Sequence, residues 1–170
     1  CSNLTTIPKL DTSKVTNMGY CFSSCENLVT IPKLNTENVT NFNSFVSPVV
    51  LKNSKVNRIE ELSFKSVPSV TDFCQNAFGS SDSIRYMLIK DLGTNSSFTS
   101  FDISKVNNWG VNNTDNPDAR QSLIDTLLIY SFDRRAASYS DCTIKLSSNV
   151  KALLTEEEIN SIQTKGYIIS

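Results

Sequence analysis

The sequence predicts an α/β fold: a solenoid of leucine-rich turns, with short strands and short helices, that ends in a helix–strand–helix–strand C-terminal cap. The first observation behind this prediction is a repeat, because residues 1–10 return almost unchanged at 25–34, a shift of 24 residues. The second is that Leu, Ile and Cys occupy the anchor positions of this period, which is typical of leucine-rich solenoids. The third is that helical spacing replaces the repeat near the C-terminus. We therefore predict irregular leucine-rich repeats over 1–115 and a capping region of the same domain over 116–170.

Each predicted turn has two halves. The first half, from Leu4 to Leu10, is too short for a helix and contains Pro8, which cannot donate to a ladder, so we expect a short strand. The second half places apolar residues at offsets of three, seven and ten, namely Val15, Met18, Phe22 and Cys25. That spacing predicts one face of a short helix, with Thr12 or Ser13 as its cap.

Later turns are predicted from weaker echoes of the same pattern. Residues 77–84 repeat the pattern of 21–28, and residues 102–110 repeat that of 11–19. Neither shift is a multiple of 24, so we expect four to five turns of unequal length. Trp109 falls at the position of Met18 in this alignment, which favours a place in the core over a sugar-stacking platform.

The last third of the chain carries signals for individual elements. Asn116, Pro117 and Asp118 together predict a helix start. Alternation over 142–146 predicts a half-buried strand. Thr155 and the glutamates after it predict a capping box, with the helix ending at 165–166 and a final strand at 167–169. This block has the character of a cap that covers the last core face of a solenoid.

Composition excludes several classes of function. The chain has 170 residues, of which 39 % are hydrophobic, enough for one continuous core. Its 16 basic and 17 acidic residues form no basic run, so nucleic acid binding is disfavoured. No apolar window reaches the roughly 18 residues that a membrane span needs. Because the sequence opens inside a repeat, we expect further turns upstream in a longer protein.

The residues also argue against catalysis and cofactors. The chain has no His, which removes Ser-His-Asp and Cys-His nucleophiles and His-containing zinc sites. Its five glycines are too scattered for a phosphate-binding loop. Candidate acid/base carboxylates lie on different predicted turns: Asp72, Asp91, Asp102 and Asp125. We therefore predict no enzymatic activity, no catalytic residues and no cofactor.

The cysteines and one oxygen-rich segment each allow a redox or metal role as well as a structural one. The five cysteines include no CxxC pair, and Cys1 and Cys25 share one repeat position, so packing is favoured over a disulfide such as Cys21–Cys25. Residues 112–118 are rich in the oxygen ligands that Ca²⁺ prefers. The same residue types build turns and helix caps, and this interpretation is favoured. We thus predict no metal site.

Exposed aromatic residues are the remaining candidates for ligand contact. Tyr20, Tyr86, Tyr139 and Tyr167 stand beside polar residues, a combination that suits glycan recognition. Arg134–Arg135 is predicted to be a solvated helix end. The sequence does not identify the ligand-binding residues.

The phrase at 10–18 and its continuation at 22–28 resemble the BspA-type leucine-rich repeat family. The resemblance covers 1–46 clearly and 73–110 in weaker form, and it departs where Phe42 and Phe45 replace Met18 and Cys21. It implies a non-enzymatic surface protein of the kind linked with adhesion, and similar repeats occur in bacteriophage tail proteins. The end of the chain resembles the closure of such proteins in gut bacteria and their phages.

The resemblance favours a recognition or adhesion module on a phage tail or baseplate appendage that contacts the bacterial surface. One alternative is a bacterial cell-surface adhesin that binds host proteins or glycans, and another is a structural spacer within a larger virion protein. The expected partners are a cell-surface protein or glycan receptor and other subunits of an assembly. The expected location is the virion surface or the extracellular bacterial surface, without membrane insertion or nucleic acid.

Overall fold

The computed structural model describes residues 1–46, 54–68, 77–79 and 81–170. Their strands form two parallel sheets of three strands each. The first sheet has the order β1 (Thr30–Ile31), β2 (Arg58–Ser63) and β3 (Tyr86–Lys90). The second has the order β4 (Ser100–Asp102), β5 (Cys142–Lys145) and β6 (Tyr167–Ile169). The helices are α1 (Ala119–Ile124), which continues as a π-helical segment (Asp125–Ile129), α2 (Ser148–Lys151) and α3 (Glu156–Thr164).

The predicted leucine-rich solenoid is wrong, although the chain does combine strands and helices. Over 1–46 the apolar positions lie on successive turns, not on the predicted helix, as the bonds from Val15 N–H to Thr12 O and from Cys21 N–H to Met18 O show. The strands pair as two separate sheets where a solenoid would have one continuous ladder. Helix nucleation is costly for so short a segment, and Ser, Thr and Asn side chains compete for its backbone groups.

Pairing within the first sheet does not keep the period of the repeat. Thr30 pairs with Arg58, and Arg58 pairs with Tyr86. An isolated parallel bridge joins Asn17 to Asn41, a pair that follows the 24-residue shift of the sequence, and the Thr40 hydroxyl donates to the carbonyl of Thr16 with the same shift. Successive strands of this sheet are therefore offset by 28 residues at each step, whereas the segments around Asn17 and Asn41 keep the 24-residue repeat.

Hydrogen bonds from threonine hydroxyls join successive segments of the chain, each of which we call a layer and which stack on one another. The Thr12 hydroxyl donates to the carbonyl of Asn35 at 2.9 Å, and the Thr36 hydroxyl donates to the carbonyl of Ser63 at 3.0 Å. Both threonines are buried, so these bonds satisfy polar groups that would otherwise be costly inside the protein. The repeated sequence thus contains, besides its apolar anchors, a threonine whose hydroxyl makes the same kind of hydrogen bond in both copies.

The core runs through both sheets as one cluster of apolar side chains. Leu28, Val39 and Trp109 are fully buried, as predicted, while Leu4 and Val15 in the first layer are partly buried. The Trp109 indole donates to the carbonyl of Met87 at 2.9 Å, which confirms its predicted place in the core. Phenylalanine rings pack edge to face or tilted along this core: Phe22, Phe45, Phe42, Phe64 and Phe101.

Helix α1 closes the open edge of the first sheet. Met87 N–H donates to the Ser122 hydroxyl at 3.2 Å, and Ile89 N–H donates to the Thr126 hydroxyl at 3.0 Å. These two side chains, four residues apart, occupy the place where a further strand would supply carbonyl acceptors. Covering an edge with a helix removes unpaired donors that would otherwise invite another strand.

The C-terminal elements agree with several local predictions. Thr155 and Glu158 form the predicted capping box, the helix ends at Thr164 with Lys165 as its C-cap, and Gly166 adopts a φ of 89°. The strand at 167–169 is also confirmed. The predicted cap at Asn116 is wrong, because α1 begins at Ala119 after Asp118.

Candidate binding groove

A groove opens at the carboxyl ends of β1, β2 and β3. Its volume is about 740 Å³, and it is lined by 32–37, by residues at the ends of the other two strands, and by Lys9 and Leu10 at one side. Because parallel strands end at the same edge of a sheet, the residues that follow them come together even though they are far apart in sequence. Polar side chains that leave the sheet at this edge therefore converge.

Glu61 is the centre of a row of three charges in the groove. Its carboxylate accepts a hydrogen bond from Lys33 Nζ at 2.9 Å and another from Lys90 Nζ at 3.0 Å. Burial opposes ionisation of Glu61, but the two lysines outweigh it and hold the pKa of this carboxyl below its usual value. The bond to Glu61 likewise raises the pKa of Lys90. Glu61 and Lys90 are therefore both charged at neutral pH.

The floor of the groove is fixed by hydroxyl and carboxylate contacts. Ser63 N–H donates to the Thr36 hydroxyl at 2.6 Å, and the Ser63 hydroxyl donates to Asp91 Oδ2 at 2.6 Å. Asp91 has a φ of 59°, a left-handed conformation that Asp tolerates better than most residues. These bonds hold the ends of β2 and β3 in one arrangement, so the groove is preformed.

Apolar surface lies beside these charges. Leu10 lines the groove and is 47 % exposed, whereas Leu34, its equivalent in the next layer, is only 3 % exposed. Tyr130 is 38 % exposed, and Lys90 Nζ lies 4.8 Å from the centroid of its ring. The groove thus combines charged groups with an apolar wall and a neighbouring aromatic ring.

The four candidate tyrosines do not share a surface role. Tyr20 is 61 % exposed, but Tyr167 is buried, and its hydroxyl lies 2.6 Å from the carbonyl of Leu92. Tyr86 is partly covered by Arg58, whose guanidinium lies 3.7 Å from its ring centroid. Tyr139 is partly buried.

Tyr130, the aromatic residue beside the groove, was not among the sequence candidates. Neither were Lys33, Glu61 and Lys90, because a fixed 24-residue period does not align them. The available signal was a charged residue at or close to the end of each of the three strands.

The prediction that Arg134 is solvated is wrong. Arg134 is fully buried, and its guanidinium donates to the carbonyls of Gly93, Asn95, Ser96 and Ser140. Arg135 keeps the predicted exposure, with 57 % of its side chain accessible and an ion pair to Asp141.

The oxygen-rich loop at 112–118 uses its side chains for turns and for the helix start. Asn112 Oδ1 accepts from Arg120 N–H, and Asn113 Oδ1 accepts from Asn116 N–H, both at 2.8 Å. Arg58 joins the loop to β2 through two bonds to Asp118. These side chains therefore contribute to turns and to the start of α1.

Only some of the cysteines have the buried, packing role that the sequence favours. Cys25 is buried but Cys1 is exposed, and Cys21 is a free, exposed thiol. Burial raises the pKa of Cys142 to about 12, which makes it a poor nucleophile. Cys74 and Asp72 lie outside the described residues.

The described residues hold neither a metal-binding cluster nor a membrane-spanning helix. No group of three or more Cys, Asp and Glu side chains with a metal-binding arrangement occurs in 1–46, 54–68, 77–79 and 81–170. Within those ranges no helix has the length and apolar character that crossing a membrane requires.

No similar protein is available to indicate what the groove binds. Comparison with protein-family models, with curated proteins and with solved structures found no match in any of the three.

Proposed function

We propose that this chain is a non-enzymatic recognition module that binds a cell-surface receptor in the groove. The observation that carries the proposal is the row of Lys33, Glu61 and Lys90, which is preformed and remains accessible to a ligand. A carboxylate has about four acceptor sites and an ammonium has three donors, so each group retains capacity after the bonds within the row. Recognition needs polar groups that are held in place yet not consumed by the fold.

The setting that we propose is a phage tail or baseplate appendage that contacts bacteria, and it rests on the resemblance of the repeated phrase. The groove itself supports binding in either a phage or a bacterial setting. A spacer has no need of an ordered charged groove, which argues against the third alternative.

Binding of the purified, fluorescently labelled chain to whole gut bacteria tests the proposal. The decisive variant is Glu61→Gln, which keeps the shape of the side chain but removes its charge. Glu157→Gln is the matched control, because Glu157 is exposed on α3, outside the groove. We expect Glu61→Gln to weaken cell binding by about tenfold or more and Glu157→Gln to leave it unchanged, with both variants folded by circular dichroism.

The alternatives predict different outcomes in the same assay. Binding to immobilised host matrix proteins but not to bacteria indicates the adhesin. Binding to neither indicates the spacer and contradicts the proposal. Equal binding by the wild-type chain and Glu61→Gln removes the groove from the recognition surface.

A further inference from the structure

We infer that the groove takes a neutral oligosaccharide, as a ligand that presents hydroxyl groups on its edges and C–H groups on its faces. This inference rests on the proposed function, because it concerns the same groove. Net charge, hydrogen-bond capacity, apolar surface and volume all point to this class of ligand.

The charges that line the groove balance. Three lysines, Lys9, Lys33 and Lys90, face three carboxylates, Glu37, Glu61 and Asp91. An anionic ligand such as a phosphate-bearing polymer requires a surplus of cations, because desolvating its charge must be offset by opposite charge. A groove without net charge instead favours an uncharged ligand.

The balanced charges still offer both donors and acceptors. Glu61 accepts two bonds, one from each of its lysine partners. About two of its four acceptor sites remain, and each lysine keeps about two of its three donors. A sugar hydroxyl donates one bond and accepts others at the same time, so it can bridge a carboxylate and an ammonium that lie side by side. Bonds to ionised groups are the stronger class of hydrogen bond.

Apolar surface stands next to these polar groups. Leu10 and Pro32 line the groove, and Leu10 is 47 % exposed. Tyr130 stands beside Lys90 and is 38 % exposed. The C–H face of a pyranose ring packs on such aliphatic and aromatic surface while its hydroxyls reach the charged row. The volume of about 740 Å³ lies in the range of roughly 300–1,000 Å³ that small-molecule sites span.

Competition for binding to bacterial cells tests this inference. The capsular and cell-wall polysaccharide of a bound strain is released and split by anion exchange into a neutral fraction, which flows through, and an acidic fraction, which is retained. Each fraction is then added to the wild-type chain and to Glu61→Gln and Glu157→Gln in the cell-binding assay. In a second arm, binding is measured to cells that have been digested with protease and to cells that have been oxidised with mild periodate.

We expect the neutral fraction to inhibit cell binding by the wild-type chain and by Glu157→Gln. We also expect both proteins to lose binding to cells that have been treated with periodate. Affinity for the neutral fraction should change by less than about twofold between 0.05 and 0.5 M NaCl, because salt screens interactions between charges and the ligand has none. Glu61→Gln should bind that fraction about tenfold more weakly or worse.

Other outcomes overturn the inference and separate it from the proposed function. Inhibition by the acidic fraction alone shows an anionic ligand, and loss of binding after protease treatment alone shows a protein receptor. In both cases sensitivity to Glu61→Gln preserves the proposed function while the ligand class fails. Inhibition of Glu61→Gln at the same concentration of neutral fraction places the glycan elsewhere on the molecule. A wild-type chain that binds no cells removes the proposed function and the inference together.

Discussion

Polar side chains at the first sheet and at the second sheet differ in burial and in their hydrogen-bond partners. At the ends of the first sheet, Lys33, Glu61 and Lys90 bond to one another and remain accessible. Beside the second sheet, Arg134 and Tyr167 are buried and bond to backbone carbonyls. The polar groups near the second sheet therefore use their hydrogen bonds within the fold, whereas those of the first sheet are held in place but can still bond to a ligand. The comparison explains why the candidate site lies on the first sheet.

Substitutions at the second sheet should therefore cost stability, whereas substitutions in the groove should cost binding. The largest expected effect is that of Arg134→Met, which keeps the length of the side chain but removes its donors. The carbonyls of Gly93, Asn95 and Ser140 then lose their partner inside the protein. We expect a loss of about 4 kcal/mol in the free energy of unfolding, measured by urea denaturation, since buried groups left unpaired cost about 1–3 kcal/mol each.

The neighbouring residue gives a matched control for this prediction. Arg135→Met removes an exposed ion pair with Asp141 and should cost less than about 1 kcal/mol. Similar losses for the two variants would contradict the view that Arg134 is consumed by the fold.

A second effect concerns the glycine that lies against Tyr167. Gly93 has a φ of 80°, and a Cβ added there would lie 2.3 Å from the Tyr167 hydroxyl. That hydroxyl is held by the carbonyl of Leu92, so it has little freedom to move. We expect Gly93→Ala to lower the melting temperature and to cost about 2–3 kcal/mol, from backbone strain and overpacking together.

Gly19→Ala serves as the comparison in the first region. The nearest atom to a Cβ at Gly19 is Asn17 Oδ1 at 3.1 Å, a much longer approach than at Gly93 and to an exposed side chain. The expected cost is below about 1 kcal/mol. A larger cost at Gly19 than at Gly93 would reverse the comparison between the two regions.

The edge of the first sheet gives an intermediate effect. Thr126→Val preserves the shape of the side chain but leaves Ile89 N–H, which now donates to its hydroxyl at 3.0 Å, without an acceptor. Thr126 is fully buried, so we expect a cost of about 1–2 kcal/mol in urea denaturation. Thr164→Val changes an exposed hydroxyl on α3 and should stay within about 0.5 kcal/mol. Equal costs would mean that α1 does not depend on this bond to close the sheet.

Local signals in the sequence predicted local structure well. The capping box of Thr155 and Glu158 was predictable because all of its atoms belong to four consecutive residues. The burial of Trp109 was predictable from its position in the repeated pattern. The helices expected in each early turn were wrong, because the same apolar spacing also fits successive tight turns. Only tertiary contacts decide between these two arrangements.

The groove depends on strand register, which the repeat does not reveal. Lys33, Glu61 and Lys90 meet because successive strands pair with an offset of 28 residues, Thr30 with Arg58 and Arg58 with Tyr86. The 24-residue shift, seen at Thr16 and Thr40, aligns none of the three charges. Arg134 was missed for a related reason, since its acceptors at 93–96 lie far away in sequence.

The smallest expected effect on stability is that of Glu61→Gln, the variant with the largest expected effect on binding. Its pairs with Lys33 and Lys90 are partly exposed, so the loss at pH 7 should stay below about 1 kcal/mol. Because the folded state lowers the pKa of Glu61, the contribution is complete above the unfolded value of 4.5 and is lost as the pH falls through the lowered pKa. Urea denaturation at pH 7 and pH 3 should therefore show the difference between the wild-type chain and the variant shrinking toward zero in acid. A difference that persists at pH 3 would mean that the shape of the side chain, and not its charge, holds the groove together.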